Sequence, residues 1–351
     1  MIAPIRCAPA HVPLVVSTRG QTIENIHYGS IAVVDTRGRV LHAAGDPGFI
    51  TFTRSALKAF QALPFFMDDG PRALGLSMAQ RALMTASHSG EDFHVHSVDG
   101  LLERARASVV DLQCGCHVPY HFEARGLAPE PGQSFDARHH NCSGKHAGFL
   151  AYCHLHGLSR QDYLDPGHPL QARIRHQVGA VLDRSPESIA LGTDGCSAPN
   201  LALPLSDLAR LWAMLATAGE GLPALDRRPD IARALGEMFE AMTTHPEQVS
   251  GTERTDLHLA QAGAGDWVAK AGADGVQTLA IRSRGLGIAL KISDGHADAR
   301  HIALVEVLRQ LGLVQAEHPA LDRYRRMVIR NIAGREVGER VPVFELSGIH
   351  S

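Results

Sequence analysis

The chain reads as an α/β protein, an antiparallel sheet flanked by helices with a helical lobe. Three observations predict it. Turn-broken, alternating strands fill the first fifty residues, amphipathic helices fill the middle from about 77 to 250, and short strands return late, ahead of a last amphipathic helix. Strands at both ends that bracket a helical middle are most simply joined in one sheet, with helices on its faces. Residues 1–351 are therefore expected to form a single domain.

The elements follow in order. "PLVVSTRG", "IHYGSIAVVD" and "VLHAAGD" read as strands, with "DTRG" as the turn between the second and third. A helix is expected from about Arg54 to Leu63, stopped by Pro64, and another over "LSMAQRALMTAS". "KHAGFLAYCHLHG", "HPLQARIRHQVGAVLD", "LSDLARLWAMLATAG" and "PDIARALGEMFEAM" carry helical spacing. "WVAKAG", "GVQTLAIRS" and "LGIALKIS" are the late strands, and "ADARHIALVEVLRQLGLV" the closing helix.

Composition excludes several classes. A chain with 44% hydrophobic residues, 20% charged residues and a net charge of −3 has enough apolar residues for a core and no basic run for nucleic acid. The N-terminal "MIAPIRCAPAHVPLVV" lacks the basic region and apolar core of a signal peptide, and no apolar run reaches the roughly 20 residues of a membrane span. A cytoplasmic protein is expected, with its six cysteines as thiols. Cys7 and Cys153 have no chemical company, and the C-x-C of Cys114 and Cys116 is a poor chelate, so both read as packing or loop residues. The 21 histidines read mainly as surface positions.

Chemistry enters at "TRSALKAF". Ser55 and Lys58 lie three apart, so on a helix the amine leans back over the hydroxyl, near a helix end that favours negative charge. For Lys58 to act as a base near neutral pH its pKa has to fall by about three from roughly 10.4, about 4 kcal/mol. Burial and a neighbouring cation supply such a drop. "ASHSG" offers Ser87 and Ser89 at a helix-to-loop junction, and "AKAG" puts Lys270 on a strand followed by small residues. The order S-x-x-K, serine motif, K-x-G resembles the layout of serine β-lactamases and penicillin-binding proteins. It pairs Ser55 with Lys58 and Ser87 with Lys270, Ser55 attacking, Ser87 relaying a proton to the leaving group, and the Ser55 N–H aiding the oxyanion.

"NCSGKHAGF" sets Cys142 three before Lys145, and "LGTDGCSAPN" sets Asp194 and Cys196 in a Gly-rich turn. Neither is a common zinc ligand set, and the residues alone leave open small buried thiols with a surface lysine. Asp194 reads as a turn former or as a partner for a ligand's amino group.

Together "TRSALKAFQALP", "ASHSGE", "CGCHVP", "HHNCSGKHAGFL", "GTDGCSAPNLALPL" and "AKAGADGV", in order from residue 53 to 276, resemble the rhizobial-type L-asparaginases, whose fold is similar to that of the serine β-lactamases. The resemblance implies Ser55, Lys58, Ser87 and Lys270 as catalytic pairs. It also implies a zinc ion on Cys142, Lys145 and Cys196 with Asp194 beside it, a homodimer, and hydrolysis of L-asparagine to L-aspartate and ammonia. Arg54, beside Ser55, is a candidate for the substrate carboxylate or a surface residue at the helix start. Two other readings stand beside this one: a zinc-dependent amidohydrolase in which water attacks, and an amino-acid-binding module without catalysis.

Overall fold

Alternation in β2 (Thr22–Asp35) decides the layering: Ile31 and Val33 join one buried cluster, while Ala32 and Val34 join another on the opposite face. The computed structural model describes residues 9–219, 228–314 and 318–348. Cys7 and the start of the N-terminal stretch lie outside them.

β1 (Val12–Arg19) and β2 form an antiparallel hairpin, and β3 (Val40–Ala44) pairs with the far end of β2. β4 (Ile50–Phe52) leaves this sheet. A 3₁₀ turn (Arg54–Leu57) then runs into α1 (Lys58–Met67), and the lobe continues through a short helix (Met78–Leu83), α2 (Asp92–Arg104), α3 (Ser143–His156) and α4 (Pro169–Leu182). β5 (Ala190–Thr193) and β6 (Pro199–Pro204) join β4 in a three-stranded sheet, ordered β4-β6-β5. After α5 (Leu205–Thr217), α6 (Pro229–Thr244) and α7 (Thr255–Ala262), the chain returns to the main sheet. It enters as β7 (Trp267–Ala271), β8 (Val276–Ile281) and β9 (Leu286–Ile292). α8 (Ala297–Gln310) follows, then β10 (Met327–Arg330), β11 (Glu336–Pro342) and β12 (Ser347–Gly348).

The main sheet has nine strands along β10-β11-β1-β2-β9-β8-β7, with β3 and β12 branching from β2, and every pairing is antiparallel. α8 covers the face of Ile31 and Val33, with Ile302, Ala303 and Leu308 in their cluster. α5 covers the other face, and Trp212 on it donates its indole N–H to the Ala56 carbonyl (3.1 Å). Gly287 lets that helix approach: a Cβ there would run into the Ala209 carbonyl. The fold is the antiparallel sheet with flanking helices and a helical lobe that the sequence predicts.

Three expectations need correction. Pro64 does not stop its helix, because Phe60, Leu63, Phe65 and Phe66 are all buried in the lobe, and their packing outweighs the lost hydrogen bond. Two strands of the second sheet, β5 and β6, sit inside the stretch from about 77 to 250 read as helix-rich, and pair there with β4 from before it. Strands β10–β12 extend the main sheet from a C-terminal stretch in which no strand was expected.

Candidate functional site

A strained backbone opens the site. Arg54 adopts a left-handed conformation (φ 50°), a costly one for a residue with a side chain, and its N–H is held by Asn200 Oδ1 (3.1 Å). The kink delivers Ser55 into the first 3₁₀ turn, where N–H groups have no intrahelical acceptor. Ser55 lines a cleft of about 640 Å³, shared with Ser87, Tyr120, Asn141, Arg254 and Ala271. Its hydroxyl has no hydrogen-bond partner among the described residues.

One turn on, Lys58 is fully buried, and its amine reaches Ser87 Oγ (2.9 Å), the Ala86 carbonyl (2.6 Å) and the Asn141 carbonyl (3.4 Å). Lys270 is also fully buried on β7 and reaches the same Ser87 Oγ at 2.9 Å, together with the Ala271 carbonyl. Both amines therefore converge on Ser87, and no Lys58–Ser55 hydrogen bond is present. Burial brings the Lys270 pKa down to about 7; Asp256 opposes this, while Lys58 and Arg254 add to it. Asp256 stays at a distance because its oxygens hold the Ala271 N–H (2.7 Å) and Gln277 Nε2 (2.9 Å). Ser89 points elsewhere, to the Ser250 carbonyl (2.9 Å) and Glu91 (3.2 Å).

A second cluster lies beside the first. Cys142 ends its loop as the residue before α3, and Lys145 sits in that helix's first turn. Cys196 comes from the β5–β6 turn, which closes through Ser197 N to the Asp194 carbonyl (2.9 Å). Lys145 is buried, not on the surface, and its amine donates to Cys196 Sγ (3.0 Å). Burial alone would lower its pKa; the Cys196 and Cys142 sulfurs reverse this and hold it above the ordinary value. The Cys142 thiol is held well below its usual range by the adjacent Cys196 sulfur, then, against burial, by Lys58 and Lys145. Asp194 is kept below the usual carboxylate range: burial opposes, Lys145 and Arg54 prevail. Arg54 pairs with Asp194 Oδ1 (2.7 Å) and with Asp274, clasping the β5–β6 turn to the β7–β8 turn. Its fork is thus taken by two carboxylates.

Two sulfurs and one amine converging from two elements fit the donor set of an open zinc site, provided the metal displaces the Lys145 proton. Among the described residues no three His, Cys, Asp or Glu side chains are grouped to hold a metal, so a metal here draws on the lysine.

Sequence reasoning missed the histidines. His88, His94, His140 and His146 are buried rather than on the surface. His140 Nδ1 accepts from Cys142 N (3.0 Å), His88 bonds Ser143 Oγ (2.8 Å), and His146 bonds Tyr163 (2.8 Å). His117 accepts the Asn141 N–H (3.1 Å), bracing the loop whose carbonyl meets Lys58. Cys114 packs inside and Cys116 is exposed, in keeping with packing and loop positions, and Cys153 lies in the core. One signal went unused. The chain has only four lysines, Lys58, Lys145, Lys270 and Lys291, and three of them meet here.

No helix among the described residues is long and apolar enough to cross a membrane. No curated protein matches the chain. Similar solved structures include a crystal structure of Mglu (15% identity, TM-score 0.43, 83% of this chain and 68% of that one). Mglu in its glutamate form is similar at 15% identity and TM-score 0.44, over 83% of this chain and 62% of that one. A class C β-lactamase in complex with cefoxitin is similar at 14% identity and TM-score 0.38, over 79% and 91%. The chain thus spans about two thirds of the length of these Mglu chains. Residues 15–342 match the family profile described as L-asparaginase II. Matched over nearly its whole length, the chain belongs to the L-asparaginase II family, an assignment that supports an amidohydrolase function of the asparaginase type.

Proposed function

We propose that the protein hydrolyses L-asparagine to L-aspartate and ammonia through a serine acyl-enzyme. One observation carries this reading: two buried lysine amines meet on Ser87 in the cleft that Ser55 also lines. With a pKa of about 7, Lys270 is neutral in a large fraction of molecules at physiological pH. Ser87 then donates its proton to Lys270 while accepting one from Lys58, which makes a directed proton chain.

Ser55 Oγ attacks the side-chain amide carbon; for its proton to enter the chain at Lys58, that amine must first pass a proton through Ser87 to neutral Lys270 and turn from its carbonyl partners toward Ser55. The carbonyl oxygen turns toward the Ser55 N–H. Ser87 delivers a proton to the amide nitrogen, the C–N bond breaks, and ammonia leaves a β-aspartyl ester on Ser55. Water then adds to the ester and gives one proton to the chain, the C–O bond to Ser55 breaks, and the chain hands that proton to Ser55 Oγ. Asp194, whose Oδ1 is held by Arg54 and Gly195 N, would offer the substrate's α-ammonium its Oδ2, which otherwise meets only the Cys196 thiol at 4.0 Å. For Arg54 to take the α-carboxylate, it must first release Asp194 or Asp274. Cys142, Lys145 and Cys196 would hold zinc, which when bound supplies positive charge for gripping the substrate. A cytoplasmic homodimer completes the reading, and light scattering on the purified chain tests the dimer.

A second reading makes Ser87 the nucleophile, favoured by both amines touching it while Ser55 Oγ touches nothing. Mass spectrometry of acid-quenched enzyme with L-asparagine separates the two: the aspartyl adduct is expected on the peptide of Ser55. Wild type should release ammonia and Ser55→Ala should not. An adduct on Ser87, or substantial ammonia from Ser55→Ala, contradicts the assignment of Ser55.

A further inference from the structure

The cleft holds an arginine whose charge helps to lower the Lys270 pKa but whose hydrogen-bonding fork the catalytic reading does not use. Arg254 precedes α7, is half-buried and lines the cleft wall beside Ser87 and Ala271. Its guanidinium carbon lies over the Tyr120 ring, 5.4 Å from the ring centre, a cation–π contact. It makes no side-chain hydrogen bond and no ion pair among the described residues. Asp256 holds Ala271 N and Gln277, Glu253 faces Arg323 (3.9 Å), and Glu123, which also lines the cleft, makes no ion pair with Arg254 among the described residues. The other cleft arginine, Arg300, spends its fork on the Gly272 carbonyl (3.1 Å) and His301 Nε2 (2.7 Å). Arg54 spends its own on Asp194 and Asp274.

A fork of five donors, held against a ring and lining the cleft, suits a planar bidentate anion. Its charge already reaches Lys270, whose pKa it helps to lower. A substrate carboxylate on Arg254 would therefore sit near the reacting serines.

We propose that Arg254 binds the α-carboxylate of the substrate and sets the specificity of the site for amino-acid amides over plain amides. The proposal rests on the asparaginase reading. It divides the labour: Asp194 meets the α-ammonium from one side, Arg254 the α-carboxylate from the other, and Arg54 acts as a clasp that keeps Asp194 in place.

The test compares wild type, Arg254→Gln, Arg254→Lys and Arg54→Gln on L-asparagine and on 3-aminopropanamide, which is asparagine without its carboxylate. Calorimetric binding of L-aspartate is measured on the same proteins. Arg254→Gln is expected to raise KM for asparagine by about 10- to 100-fold, with kcat within a few-fold of wild type. It should weaken aspartate binding by a similar factor and lower kcat/KM for 3-aminopropanamide only by the few-fold that losing a cation near Lys270 imposes on both amides, and Arg254→Lys should recover part of the loss. Equal losses on both amides, unaltered asparagine kinetics, or a carboxylate-selective loss in Arg54→Gln instead overturns the proposal. Wild type that binds aspartate in an Arg254-dependent way but releases no ammonia from asparagine refutes the asparaginase reading while leaving the carboxylate assignment standing. Wild type that binds no aspartate overturns the assignment itself.

Discussion

Lys270 and Lys145 are both fully enclosed amines within one site, yet they are driven in opposite directions. Lys270 faces a hydroxyl and shares its surroundings with Lys58 and Arg254; its pKa falls to about 7. Lys145 faces two sulfurs, one of them held toward the thiolate, and its pKa rises. Burial lowers the proton affinity of both. At Lys270 burial prevails, because Lys58 and Arg254 work against the Asp256 carboxylate; at Lys145 the two sulfurs overcome it. The first amine is suited to exchanging protons, the second to balancing thiolates until a metal replaces its proton.

The largest expected break in this contrast is at Lys270. Lys270→Met should lower kcat/KM on L-asparagine by at least about a thousandfold. Its effect on stability runs the other way. A buried amine with a lowered pKa binds fewer protons folded than unfolded between about pH 7 and its ordinary range, so native stability rises with pH across that window. Below the window the folded state carries the full cost of the buried charge. The thermal midpoint of Lys270→Met should therefore exceed wild type most at pH 6, with the gain shrinking toward pH 10. A gain that does not change with pH contradicts the lowered pKa.

Lys145→Met tests the opposite arm. The raised pKa of Lys145 contributes stability throughout the neutral range, lost only as pH climbs through that raised value. Removing the cation from between the sulfurs should cost about 3–5 kcal/mol in denaturant unfolding at pH 7 and abolish zinc retention measured by elemental analysis. A cost under about 1 kcal/mol would mean that the thiolate pairing is absent.

A milder perturbation is chelation. Removing metal from wild type should raise KM for asparagine more than it lowers kcat. Collapse of kcat at unchanged KM supports instead the reading in which metal-dependent water attacks. The smallest expected effect is at Asn200, which holds the left-handed Arg54 in place. Asn200→Ala should cost about 1–3 kcal/mol of stability by leaving the Arg54 N–H unpaired, read by thermal unfolding.

Much of this was legible in the residues. Alternation in "IAVVD" and "LGIALKIS" marks strands because one face of the sheet meets α8 and the other α5. The order of Ser55, Lys58, Ser87 and Lys270 picks out side chains that the fold gathers at one cleft. Their wiring was not legible. Three-residue spacing places Lys58 near Ser55, but the amine turns to Ala86, Ser87 and Asn141, segments that only tertiary packing brings together. Polar neighbours made His88 and His146 look exposed, although burial is set by what lies across from a residue rather than beside it. Pro64 misled for a similar reason, since four buried side chains around it outweigh a local rule. The scarcity of lysine was visible throughout and was the better guide: 30 arginines against four lysines leaves few amines without a task.

That scarcity makes the decisive measurement simple. With lysine ε-carbons isotopically labelled, four resonances report all the amines of the protein, and Lys270→Met identifies one of them by its loss. The account predicts that the Lys270 signal titrates with a midpoint near pH 7 and that kcat/KM rises along the same curve, while the Lys145 signal does not move at neutral pH. A Lys270 signal that titrates only near pH 10 contradicts it.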